Sequence, residues 1–193
     1  MKSKQIIAAV FVSYAALSAG IRPAAAVEYT RVIADKSAIK FIYKQMNVPM
    51  EGSFGRYASQ LRFDPAKPAA ATASFQIDLA SIDTGATDAD EEVRGKLWFN
   101  TKTYPQASFV STSVAPLGGN RFEVRGKLTM KGKTQDIAAP ISFTQDGANG
   151  LFEGSFTIKR ADFAIGEGAW ADFATVANEI QIKVRLLAGA GGK

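Results

Sequence analysis

Catalysis needs nucleophiles, bases or metal ligands, and this 193-residue sequence supplies few of them. It has no cysteine and no histidine. That removes thiol nucleophiles, imidazole bases and the commonest transition-metal ligands. No Gly-x-Ser-x-Gly turn offers a serine nucleophile. Carboxylates remain. Asp83, Asp88, Asp90, Glu91 and Glu92 crowd together, but not with the spacing of a calcium loop, which alternates oxygen ligands around a central glycine and ends in glutamate. Glu51, Glu153, Asp162, Glu167 and Asp172 sit outside the apolar phase of any clear strand, as solvated side chains do. Gly126 to Thr134 ends in Gly-Lys-Thr, yet five residues separate its glycines, where a phosphate loop needs four and a strand-to-helix turn. Gly166-Glu167-Gly168 is a lone glycine pair. No catalytic residue, metal ligand or cofactor site is nominated, and the chain reads as a non-enzyme. A paired-carboxylate hydrolase ranks last among the functional readings.

The elements that would position any site are strands. From Arg121 to Met130, Phe122, Val124, Gly126, Leu128 and Met130 alternate with Arg121, Glu123, Arg125, Lys127 and Thr129. Ala71 to Leu79 and Glu179 to Leu186 repeat the pattern. Weaker copies pass through Ile39–Tyr43, Tyr57–Phe63, Ile137–Phe143 and Phe152–Ile158. Such alternation places one face of a strand in a core and the other in water, the mark of antiparallel sheets. Turn residues at Asp64-Pro65, Gly118-Gly119-Asn120, Lys131-Gly132-Lys133 and Asp146 to Gly150 join neighbours as hairpins. The expectation is an all-β, antiparallel, lipocalin-like barrel of about eight strands. Gly52 and Gly55 fall inside one strand whose apolar phase shifts between Phe54 and Tyr57, so a bulge or bend is expected there. One short helix, capped by Thr87 with Asp90 three residues on and stopped at Gly95, should cover an end of the barrel. The Gly/Ala-rich tail from Ala188 to Lys193 is expected to fray.

Processing and charge restrict the setting. Lys2 and Lys4, an apolar run from Ile6 to Leu17, and Ala24-Ala25-Ala26 have the layout of a secretory signal peptide. The apolar run falls short of the roughly 20 residues of a membrane span. Cleavage is expected after Ala26, leaving a single domain, residues 27–193, with no stable membrane anchor and a periplasmic destination. Losing Lys2, Lys4 and Arg22 lowers the formal net charge from +5 to about +2, too little for a nucleic-acid partner. A homodimer is compatible with this layout.

The aromatic residues leave two readings open. Phe41, Phe63, Phe75, Phe109, Phe122, Phe143 and Phe156 share the inward phase. They either fill the barrel as a solid core or line a space that something apolar occupies. An unfilled space of several hundred Å³ would cost on the order of 10 kcal/mol, comparable to a whole domain's stability. Periodicity does not choose between them. A packed barrel would make the chain an interaction module acting through an exported partner.

The ordered set of short motifs resembles the YceI-like family of bacterial polyisoprenoid-binding proteins along nearly the whole mature chain. The stretches are Ile39–Phe41, Gly52-Ser53-Phe54-Gly55, Leu61-Arg62-Phe63-Asp64, Ser81-Ile82-Asp83-Thr84-Gly85, Trp98-Phe99-Asn100, Tyr104–Phe109, Gly126–Gly132 and Arg160-Ala161-Asp162-Phe163. The resemblance implies a periplasmic carrier holding an isoprenoid lipid, a quinone or an isoprenyl phosphate, in an apolar tunnel. On that basis the lining would be Phe41, Tyr43, Phe63, Phe75, Ile77, Phe109, Phe122, Leu128, Ile141, Phe143 and Phe156, with Trp98, Phe99 and Phe163 near an end. Two departures stand out. Asp90 to Leu97 lacks the histidine many relatives carry there, and Ala164 stands where a glycine is common.

Overall fold

The computed structural model describes residues 27–191; the expected leader and its cleavage site lie outside the described residues, as do the last two positions. Eleven strand segments and one α-helix are found among the described residues: β1 (Tyr29–Val32), β2 (Ala38–Gln45), β3 (Val48–Phe54), β4 (Tyr57–Arg62), β5 (Thr72–Asp78), β6 (Ile82–Asp83), α1 (Thr87–Arg94), β7 (Gln106–Gly118), β8 (Arg121–Met130), β9 (Lys133–Asp146), β10 (Asn149–Lys159) and β11 (Glu179–Ala190). All pairings are antiparallel. The hydrogen-bonded path runs β4-β5-β7-β8-β9-β10-β11-β2-β3-β6, with β1 against β11.

The ends of that path meet. β3 and β4 are separated only by Gly55 and Arg56, and β5 and β6 only by the 3-10 turn Leu79–Ser81. Across the two breaks the partners stay bonded: Gly55 N–H donates to Ser81 O at 3.0 Å and Asp78 N–H to Arg56 O at 3.0 Å. The register passes from Phe54↔Ile82 to Tyr57↔Ile77. β1 and β2 form a third interrupted run. β1 lies between β11 and the residue that follows β4, through Tyr29 N–H to Phe63 O at 2.8 Å and Phe63 N–H to Tyr29 O at 3.1 Å. The eleven segments are thus eight antiparallel runs curled into a barrel, three of them bent at a corner. The bend expected between Phe54 and Tyr57 is one of these corners. Local breaks of this kind let a sheet curl.

Two expectations are corrected. The helix is not capped by Thr87: Ala86 holds the cap position without a side-chain bond. Asp90 instead accepts the backbone N–H and the hydroxyl of Thr84, each at 2.7 Å, so a carboxylate inside the first turn ties the preceding loop to the helix. The tail is not frayed as far as Ala190. Ala188 and Gly189 pair with both β1 and β10, and Ala188 is fully buried. Small residues suit that position, where the sheet crowds against Tyr29, Phe143 and Phe152.

Inward aromatic rings also lie close against glycines. A Cβ at Gly126 would stand 2.4 Å from Phe109 Cζ and 2.5 Å from the Val110 carbonyl oxygen; at Gly52 it would stand 2.3 Å from Phe41 Cζ. Glycine here makes room for the inward ring. Gly126→Ala is expected to destabilise the fold by roughly 1–3 kcal/mol through overpacking, read as a shift in the urea unfolding midpoint; an unchanged midpoint would show that Phe109 has another place to go.

Candidate functional site

The inside of the barrel is solid at one end and hollow along the rest. At the solid end Tyr29, Phe63, Phe122, Phe143 and Phe152 interlock. Phe63 lies 5.2 Å from Phe122, 5.1 Å from Phe143 and 5.1 Å from Phe152 between ring centroids, and Tyr29 lies 5.3 Å from Phe143. Edge-on and tilted contacts at these distances are favourable. Phe143 faces Phe152 directly across the β9–β10 ladder, so alternation on two strands converges to build this plug.

Beyond the plug lies an inner cavity of about 150 Å³ in which Thr72 is the only polar lining residue. Phe63, Phe75, Ile77, Phe109, Phe122, Leu128, Ile141 and Phe156 all contribute to it. The next space, an outer chamber of about 390 Å³, is lined by Phe41, Tyr43, Trp98 and Phe99 together with Gln45, Thr84, Asp88, Glu92, Arg160 and Trp170. Phe54, Met130, Ile158 and Ile182 belong to both walls and form the waist between them. Polarity therefore rises in one direction, from a floor apolar but for Thr72 to a mouth edged with carboxylates. A side cleft of about 440 Å³ opens where the corners of the first two bent runs part the wall, between Ser37, Lys40, Ser53, Arg56 and Tyr57. Ile39 and Phe54 back both this cleft and the inner cavity.

Two expected lining residues lie elsewhere. Phe143 belongs to the plug, and Phe163 is buried in the cluster of Trp98, Ile165 and Val176 under the roof. For Phe143 the inward phase was right and the depth was not, because period two reports a face of the sheet and not a height along the barrel; Phe163 lies near the roofed end, in a 3-10 turn instead of a strand.

The roof over the outer chamber is α1 and the segment from Arg160 to Asn178. Arg160, 1% exposed, holds that segment with all five guanidinium N–H groups. Nε donates to Ala177 O at 3.2 Å, Nη1 to Ile165 O and Gly166 O at 2.9 and 2.8 Å, and Nη2 to Trp170 O and Val176 O at 2.7 and 2.9 Å. Trp98 and Phe173 cover the guanidinium, their ring centroids 5.4 and 5.0 Å from Cζ. Burial holds its pKa below the usual guanidinium value, though arginine stays charged in proteins. The Trp170 indole N–H donates to Glu92 at 2.7 Å and joins the segment to α1. Gly166 and Glu167 N–H groups both donate to Leu97 O at 2.9 Å. Sequence reasoning found Arg160 only as part of a motif, and missed Trp170, Asp88 and Glu92 as wall residues. A tryptophan in an irregular stretch carries no periodic signal, and the two carboxylates read as helix-end charges.

A family model described as a YceI-like domain matches residues 31–188. Burkholderia cenocepacia BcnA, a solved structure, is 48% identical with a TM-score of 0.80, the alignment covering 81% of this chain and 99% of that one. A polyisoprenoid binding domain from Saccharophagus degradans, implicated in plant cell wall breakdown, shares the fold at a TM-score of 0.66 and 18% identity, covering 86% of this chain and 99% of that one. A UPF0312 protein of Ectopseudomonas mendocina (strain ymp) is 31% identical over 120 residues, a match that covers 59% of this chain and 63% of that relative's length.

Two predictions test the roof. Arg160→Lys keeps the charge but not the fork of donors, and is expected to cost about 3 kcal/mol or more by leaving buried carbonyls unpaired, measured by urea unfolding. A loss under about 1 kcal/mol would mean that those carbonyls find water or other donors. Ala164 adopts the left-handed conformation at φ 55°, which costs a residue with a Cβ roughly 1 kcal/mol. Ala164→Gly should therefore raise the melting temperature, and a fall would show that the Cβ contributes more than the strain costs.

Proposed function

The chain belongs to the YceI-like family, and from that premise we propose that it binds and carries one long apolar lipid of isoprenoid type, tail innermost. The observation that carries the reading is the graded interior: a floor with one polar lining residue, a shared waist, and a mouth with carboxylates and an amide. An amphiphile has the same gradient. Left dry, the inner cavity would cost the fold on the order of 4 kcal/mol at roughly 24 cal/mol per Å³. Hydrocarbon that fills it returns that loss and adds roughly 0.8 kcal/mol for each buried methylene. Binding of this kind stabilises the folded state by mass action.

The mechanism is containment. Water is excluded from the tail by Phe75, Phe109, Phe122 and Phe156. The likeness to the polyisoprenoid binding domain of Saccharophagus degradans supports an isoprenoid occupant here. The charged start, apolar run and Ala-x-Ala stretch of residues 1–26 support export, and with it work in the periplasm after cleavage.

Ala139 is 5% exposed and lines the inner cavity. Ala139→Leu adds three carbons to that space and is expected to weaken uptake of geranylgeraniol by at least about tenfold, the equivalent of two or three unburied methylenes. Titration of intrinsic fluorescence serves as the readout, since both tryptophans of the chain, Trp98 and Trp170, line the chamber. Equal affinities for the two proteins would place the tail outside the barrel.

A further inference from the structure

The charged groups around the outer chamber say what kind of head can sit there. The chamber wall contains one cation, Arg160, and two carboxylates, Asp88 and Glu92. The cation is spent. Its five N–H groups each have a carbonyl partner within 3.2 Å, and two aromatic rings stand over it at 5.4 and 5.0 Å. A phosphate could gain a hydrogen bond from it only by stripping buried backbone carbonyls of theirs, at a cost no weaker than the gain. The carboxylates are not spent in the same way. Glu92 accepts one neutral indole N–H at 2.7 Å, and no salt bridge is found for either Asp88 or Glu92 among the described residues. Behind them Asp90 accepts from Thr84 and faces Arg94 at 3.9 Å. Its charge is felt inside the wall: the Tyr43 phenol is held above its usual pKa, first by burial and then by Asp90.

The side cleft offers no alternative seat. Its two cations are already paired, Lys40 with Glu51 at 2.7 Å and Arg56 with Asp78 at 2.8 Å. Hydrogen-bonding capacity without charge is available in the chamber from the Gln45 side chain and the Tyr43 phenol, both in its wall.

We propose that the barrel selects the uncharged form of an isoprenoid, an alcohol or quinone head, and rejects the same chain bearing a phosphate, with Asp88 and Glu92 as the residues that set this preference. This rests on the lipid-carrier reading and narrows it. Discrimination works by repulsion: a dianionic head seated at the mouth meets two exposed carboxylates and no free cation. An alcohol or a carbonyl meets neither penalty.

The test compares geranylgeraniol with geranylgeranyl phosphate on the full mature chain, each titrated against the fluorescence of Trp98 and Trp170. The alcohol is expected to bind at least about tenfold tighter. In the double variant Asp88→Asn/Glu92→Gln that ratio should shrink by about tenfold, since the amides keep the shape and remove the charge. In the wild type, raising sodium chloride from 20 mM to about 500 mM should shrink it in the same direction by screening, a readout independent of how well the variant folds. Equal binding of the two lipids by the wild type overturns the selectivity and leaves the carrier reading standing. A ratio that neither the variant nor salt alters overturns the assignment to Asp88 and Glu92. Failure of both lipids to bind removes the carrier reading and the selectivity with it.

Discussion

Arg160 carries a full charge into the interior and finds no carboxylate there, only backbone carbonyls and the faces of Trp98 and Phe173. Desolvating a guanidinium is expensive, and the fold accepts it because the segment from Arg160 to Asn178 has almost no regular structure of its own. Buried irregular backbone must find partners for its polar groups. Five carbonyls from Ile165, Gly166, Trp170, Val176 and Ala177 converge on one side chain that has five donors, so a single residue satisfies the carbonyls that face inward, while Leu97, Lys44 and Met46 bond others of the stretch from outside it. The consequence is a roof that lies over an internal chamber without filling it. An aliphatic residue in the same place would have to be packed around, and the carbonyls would turn toward the chamber.

The solid plug and the hollow length beyond it divide the labour of the core. Aromatic interlocking around Phe63 supplies rigidity at one end, where Tyr29 links the first strand to both β11 and the end of β4. Elsewhere inward rings pair along the wall, as Phe75 does with Phe109 and Phe41 with Phe54, and leave cavity between opposite walls. Stability and capacity are drawn from the same residue type at different heights, so the barrel resolves the question left open by periodicity in both directions at once.

Much of the architecture was legible because water imposes period two on any strand with one wet face. The long strands β8, β9, β10 and β11 and the two hairpin turns that join β8 to β9 and β9 to β10 follow directly from Phe122, Leu128, Ile141, Phe156, Ile182, their polar neighbours and the glycines between. β7 was obscured by a bulge: its register shifts between Ser111 and Ser113, so Phe109 and Val114 both face inward from positions of opposite parity while Val110 is exposed. β1 is four residues long, too short to show a pattern. The wall of the outer chamber was the least legible part. Its decisive members, Arg160 and Trp170, come from non-repetitive backbone, where position in space is set by hydrogen bonds to residues distant in the chain, such as Glu92 to Trp170 across 78 positions.

The pairing of the first bent run with the last strand has a kinetic meaning. Phe41 lies opposite Ile182, and Leu187 N–H donates to the Ser37 hydroxyl 150 positions earlier in the chain. Contacts of such high sequence separation form late, because the entropy of closing a long loop is lost before they reward it. Strands from β7 to β10 can zip up locally as a meander while the polypeptide is still being completed. The enclosure itself comes into being only when the C-terminal strand docks on the N-terminal one. A nascent or truncated chain that lacks β11 is an open trough with its greasy face unprotected, so the capacity to sequester a guest appears in a single final step.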